Sequence, residues 1–107
     1  MSSDYAVVFS KDSADDLRDI GRYIEQVSSS RGVARRQLQR IRDAMHGRAS
    51  MPMRHPIARE GAASRLNLRR MNVRNYAVFY CENEDSREVL VDRIVYGRRS
   101  LGIFAGR

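Results

Sequence analysis

The sequence predicts one α+β domain over residues 1–107, in the order β-α-α-β-β-β: an N-terminal strand, then an antiparallel helical hairpin, packed on a mainly antiparallel sheet that ends in a three-strand meander. Three observations predict it. Asn75-Tyr-Ala-Val-Phe-Tyr-Cys-Glu82 and Arg87-Glu-Val-Leu-Val-Asp-Arg-Ile-Val-Tyr96 alternate, are rich in β-branched and aromatic residues, and are joined by Asn83-Glu84-Asp85-Ser86, the signature of an antiparallel hairpin. Upstream, two runs with apolar residues at helical spacing are split by Ser28-Ser29-Ser30. A chain of 107 residues also has room for a single modest core and no more.

The elements follow in order. Tyr5-Ala-Val-Val-Phe9 reads as a short strand. Ser10 is a natural N-cap, and Asp12, Asp15 and Asp16 crowd the first turns, where the helix dipole favours negative charge. Ala14, Leu17, Ile20, Gly21, Ile24 and Val27 form the expected apolar face of the first helix. A second helix is expected from Val33 to His46, with Ala34, Leu38, Ile41 and Met45 inward and Arg35, Arg36, Arg40 and Arg42 outward; Gly47 is the expected stop. So short a polar break between helices predicts an antiparallel pair. Pro52 and Pro56 forbid regular structure nearby, and the stretch through Ala63 reads as loop. From Arg65 to Val73 residues alternate, but the apolar phase slips between Leu68 and Met71, which predicts a bulge or twist there. Val73-Arg74-Asn75 supplies a tight turn into the next strand.

No apolar run approaches the roughly 20 residues that span a bilayer. Met1-Ser-Ser-Asp4 has neither the basic start nor the apolar block of a signal peptide, so the expectation is a cytoplasmic protein without a membrane role. Cys81 is the one cysteine; it excludes an intramolecular disulfide and reads as a small buried hydrophobe. Of the basic residues only Lys11 is not arginine, within a formal net charge of +7. The charge is uneven: residues 1–30 carry −3, residues 31–82 carry +9 and the remainder +1. Such asymmetry points to an anionic partner, either nucleic acid or an acidic polypeptide.

Little else in the sequence carries chemistry. His46 and His55 have no paired ligand spacing, so no metal and no cofactor are expected. A Gly-x-Ser-x-Gly elbow and a glycine-rich phosphate loop are both absent. The carboxylates of the first helix read as a solvated face. That leaves the arginines. Arg65, Arg69, Arg70 and Arg74 lie on or beside one strand, and Arg98 and Arg99 follow Gly97 at the end of another. In a meander those strands are about 10 Å apart, which allows a converging basic cleft for phosphate or carboxylate.

Four stretches together resemble the RelE and ParE toxin superfamily: Phe9-Ser-Lys-Asp-Ser-Ala-Asp-Asp-Leu-Arg-Asp-Ile20 with Tyr23-Ile24, the second-helix pattern ending before Pro52, Asn75-Tyr-Ala-Val-Phe-Tyr80, and Arg93-Ile-Val-Tyr-Gly-Arg-Arg-Ser100. The resemblance implies a toxin of a type II toxin-antitoxin pair, silenced by a cognate antitoxin in a hetero-oligomer. Leu17, Ile24, Leu38 and Ile41 are the residues expected to meet that antitoxin. RelE-like members cut messenger RNA in the ribosome without metal; ParE-like members block DNA gyrase. RelE-like chemistry would follow the Tyr76 position with a catalytic arginine, where this chain has Ala77, and would end on a tyrosine, where it has only Phe104. Arg69, Arg70 and Arg99 are the remaining candidates for such catalysis, and an arginine is a poor proton shuttle. The Asp-Asp-Leu-x-x-Ile-x-x-Tyr-Ile helix and the Gly-Arg-Arg ending are more similar to ParE, so gyrase inhibition is the leading expectation. RNA cleavage is the alternative, and a non-catalytic nucleic-acid-binding module ranks third.

Overall fold

The computed structural model describes residues 5–48, 57–58 and 66–97, apart from the side chains at 47 and 48. Its elements are β1 (Ala6–Phe9), α1 (Lys11–Ser28), α2 (Arg31–Arg48), β2 (Arg69–Val73), β3 (Tyr76–Asn83) and β4 (Glu88–Tyr96). This is the expected β-α-α-β-β-β order. The strands form one sheet in the spatial order β1-β4-β3-β2. β1 runs parallel to β4, and the two other pairings are antiparallel.

Ser10 caps α1 as its residue type dictates. Its hydroxyl accepts from the Ser13 amide at 3.0 Å and donates to the Asp92 carbonyl at 2.8 Å, tying the helix start to β4. Ser13, fully buried, donates its own hydroxyl to the Ser10 carbonyl, so no polar group is orphaned there. Only Ser29 and Ser30 separate the helices. Ser29 closes α1 in the left-handed region at φ 55°, and Ser30 caps α2 through the Val33 amide at 3.2 Å.

The helices cover one face of the sheet. Leu17, Ile41 and Met45 pack there on Met71, Val78, Tyr80, Val89, Val91 and Ile94. The interior face of α1 is rotated from the one expected. Ser13, Leu17 and Gly21 are its buried residues, whereas Ala14 is exposed and Val27 is 69% exposed. Gly21 lets the helices meet closely, because a Cβ there would stand 3.0 Å from Leu38 Cδ1. The other face of the sheet holds a second cluster of Ala58, Leu68, Ala77, Phe79 and Val95.

Those two clusters correct the expected bulge. β2 pairs with β3 in unbroken register from Arg69↔Tyr80 to Val73↔Tyr76, and the irregularity falls between β3 and β4 instead. Phe79 pairs with Arg93 and Tyr80 with Val91, which leaves Asp92 as the extra residue. Leu68 and Met71 are simply buried on opposite faces, so an apparent change of phase is a strand with two apolar faces. The true slip is Val89-x-Val91-x-x-Ile94, whose three apolar residues all reach the helix side. At the bulge α1 takes over from β1 as the neighbour of β4: the Ser10 amide donates to the Val91 carbonyl at 3.0 Å, and Asp16 receives the Ile94 amide at 2.9 Å.

Candidate functional site

Strand alternation decides what the clustered arginines can do. Neighbours on a strand point to opposite faces, so Arg69 and Arg70 cannot serve one ligand side by side. Arg69 shares the helix-side face with Met71. There it reaches diagonally to Glu82, with Nε to Oε2 and the second nitrogen to Oε1 both at 2.9 Å. Both side chains are only 16% exposed. These hydrogen bonds hold the Glu82 carboxyl below its ordinary value and push the Arg69 guanidinium up, so Arg69 neither titrates nor offers a free fork.

Arg70 faces the other side. Its guanidinium stands 5.8 Å from the Phe79 ring centroid, and its Nε donates to Asn72 Oδ1 at 3.1 Å. One of its terminal nitrogens lies 3.6 Å from where a Cβ of Gly97 would be. Arg74 is exposed in the β2–β3 turn at φ 56°, the conformation that the first residue of a two-residue hairpin loop requires. The next residue, Asn75, accepts the Gly97 amide at 2.8 Å. The fold therefore gathers Arg70, Arg74 and the strand end at Gly97 at one corner of the sheet. Arg65, Arg98 and Arg99 lie outside the described residues, as do His55 and Phe104.

The second part-buried arginine pair, at Arg93, carried no sequence signal read above. Its Nε donates to Asp16 Oδ2 at 2.7 Å and its second nitrogen to Oδ1 at 2.9 Å, with side-chain exposures of 24% and 12%. Asp16 thus satisfies a guanidinium and the Ile94 amide together, and this bonding raises the Arg93 pKa. The expectation of a solvated aspartate face fails at this residue. Asp16 lies next to the Ser13–Leu17–Gly21 stripe on the helical wheel, and that border position was the signal available.

A second surface is apolar. Tyr76 and Tyr96 meet edge to face with centroids 6.0 Å apart. Burial, then the neighbouring Tyr23 and Tyr96, push the Tyr76 hydroxyl pKa up. Tyr23 and Val27, one turn apart on α1, are 63% and 69% exposed, and Tyr96 is 40% exposed. Of the residues expected to meet a partner, Leu17 and Ile41 are 4% and 2% exposed and belong to the core, so they offer no surface. Ile24 and Leu38 are half-buried. Burial pushes the Cys81 thiol pKa up, the opposite of an activated nucleophile. Among the described residues no group of His, Cys, Asp and Glu is placed to hold a metal ion, and no helix is long and apolar enough to cross a membrane.

A helical hairpin laid over one face of an open sheet, entered by a parallel first strand and closed by an antiparallel meander, is the architecture of the RelE/ParE superfamily that the motifs resemble. A solved structure described as the chromosomal ParDE toxin-antitoxin system from P. aeruginosa superposes with a TM-score of 0.71 at 13% identity, covering 89% of this chain and 98% of that one. The toxin-antitoxin complex RelBE2 from Mycobacterium tuberculosis gives a TM-score of 0.57 at 17% identity, covering 87% and 98%. Residues 7–101 match the family model for the ParE toxin of type II toxin-antitoxin systems, parDE, and the chain belongs to that family. No curated protein sequence matches it.

Proposed function

We propose that this toxin stops growth by binding DNA gyrase in the cytoplasm and is held silent there by a cognate antitoxin. The observation that carries the reading is the commitment of the groups an RNA-cleaving site would use. Ala77 is fully buried at the position where the RelE-like resemblance calls for an arginine. Arg69 is occupied by Glu82. A phosphoryl-transfer site needs a base, an acid and free guanidinium groups on the developing charge. An inhibitor that binds needs only fixed charge and shape, which the corner formed by Arg70, Arg74 and Gly97 supports. Arg98 and Arg99, which follow Gly97 directly in sequence, and Arg65 are included in the proposed target-binding set.

The antitoxin is proposed to dock over α1 at Tyr23, Ile24 and Val27 and onto Tyr96, where apolar area is exposed. Inducing the toxin without its antitoxin should raise the DNA-damage response before translation falls. Messages cleaved at the ribosomal A site within minutes, with supercoiling untouched, would replace this reading with the RNA-cleaving one. Changing Arg98 and Arg99 together to Ala should abolish toxicity while the far-UV circular dichroism stays native.

A further inference from the structure

We infer that the outer face of α2 is a binding surface for the phosphate backbone of duplex DNA, separate from the corner at Gly97. Arg35, Arg36, Arg40 and Arg42 are all exposed on this helix, and none has a hydrogen bond or carboxylate partner among the described residues. Arg18, Arg31, Arg69 and Arg93 are different, pairing with Asp15, Glu25, Glu82 and Asp16, while the exposed Arg22 and Arg74 stand singly, on α1 and in the β2–β3 turn. At 1.5 Å rise per residue, Arg36 and Arg40 are separated by about 6 Å along the axis, and Arg35 and Arg42 by about 10 Å on the adjoining stripe. Duplex DNA carries a phosphate about every 3.4 Å of axis per strand, so the two separations correspond to about two and three phosphate steps along a backbone.

The placement works against the helix itself. α2 has no acidic residue in its first turn, yet Arg31, Arg35 and Arg36 stand in its first turns, where the dipole disfavours positive charge. Asp43 is the one carboxylate on the helix, and Gln39 Nε2 holds it at 2.8 Å. An acidic protein is the other class of partner that such charge could meet. Protein interfaces, however, have an apolar centre depleted of charge, whereas nucleic-acid interfaces are polar and strongly positive. Among the described residues the exposed large apolar ones are Val8, Tyr23, Val27, Ile57, Leu66 and Tyr96, and none of these lies on α2. Arginine without exposed hydrophobe suits phosphate. The choice of duplex DNA over RNA rests on the gyrase reading above, since gyrase acts on duplex DNA.

The test is titration of the purified full chain with a 20-base-pair duplex of arbitrary sequence across a salt series. Four phosphate contacts predict a slope of log K against log[salt] near −3.6, or a loss of roughly 10²-fold between 50 and 200 mM. Arg36→Gln with Arg40→Gln, and Arg35→Gln with Arg42→Gln, should each flatten the slope by about 2, with helicity kept because Gln and Arg have similar propensity. Arg18→Gln should leave the slope unchanged. A duplex bound with a slope that neither double variant alters would overturn the inference, as would no binding at 50 mM salt. Variants that weaken antitoxin binding but not duplex binding would assign the face to an acidic protein and overturn it equally. Gyrase inhibition is measured beside it: duplex binding without inhibition keeps this surface and ends the gyrase reading, while inhibition without duplex binding does the reverse.

Discussion

α1 and α2 are each 18 residues long and pack side by side on the same sheet, yet they are attached in different ways. α1 turns polar groups inward. Ser10, Ser13 and Asp16 bond to one another's backbone or to β4, and Asp16 meets both a guanidinium and an amide. α2 is held by Ala34, Leu38, Ile41 and Met45, and its described polar residues stay in solvent apart from the half-buried Gln37. A polar side chain that closes a strand edge is structural, and its charge is cancelled on the spot. One that is held away from any partner keeps its field for something else. The same division separates Arg69 and Arg93 from Arg35, Arg36, Arg40 and Arg42, although residue type alone makes them identical.

The largest effect should come from aspartate substitutions on the two helices. Asp16→Ala strands the Arg93 guanidinium and the Ile94 amide in a part-buried place and should cost about 2–4 kcal/mol in urea unfolding. Asp43→Ala on α2 should stay within about 0.5 kcal/mol, as exposed surface changes do. Equal losses at both positions would erase the distinction between the helices.

The Arg69–Glu82 pair sharpens the comparison within the sheet. Glu82→Gln should cost about 1–2 kcal/mol at neutral pH, because it weakens a charge-assisted bidentate contact. The folded Glu82 pKa is depressed from its ordinary 4.5, so its contribution is complete above that value and is lost as pH falls through the folded pKa. Stability of the parent chain should therefore fall more steeply below pH 4.5 than that of the Gln variant, as read by thermal melts across an acid series. Parallel curves would remove Glu82 from the account.

Smaller in stability, but not in binding, is the apolar end of α1. Tyr23→Ala and Val27→Ala should each leave the fold within about 0.5 kcal/mol. Tyr23→Ala should weaken the proposed antitoxin complex by about tenfold or more, as expected for an aromatic contact at an interface centre. Calorimetric titration with unchanged affinity for both variants would move the antitoxin off this surface. The smallest change belongs between the helices. Gly21→Ala gains about 1 kcal/mol of helix propensity, and its methyl pushes on Leu38 Cδ1 at 3.0 Å. The two effects oppose, so the unfolding midpoint should barely move.

Periodicity and capping made most of the fold legible. Ser10, the serine break and the alternation after Asn75 placed the helices and the last strands, and the short Ser29–Ser30 connection forced an antiparallel pair. What failed depended on partners remote in sequence. Asp16 bonds Arg93 across 77 positions, and no local pattern marks an aspartate for that. Nor does alternation along β2 show that Leu68 and Met71 each have a core to enter, since that needs knowledge of both faces. The candidate site was legible only as a set of arginines. Backbone alternation then divided Arg69 from Arg70, and the carboxylate of Glu82 removed Arg69 from the ligand's reach.

If the toxin acts by binding gyrase as proposed, supercoiling of relaxed plasmid by purified gyrase is the decisive measurement. The toxin should block supercoiling in a dose-dependent way, and adding its antitoxin should restore it. Full supercoiling at saturating toxin, together with A-site cleavage of message in a purified translation system, would contradict the proposal.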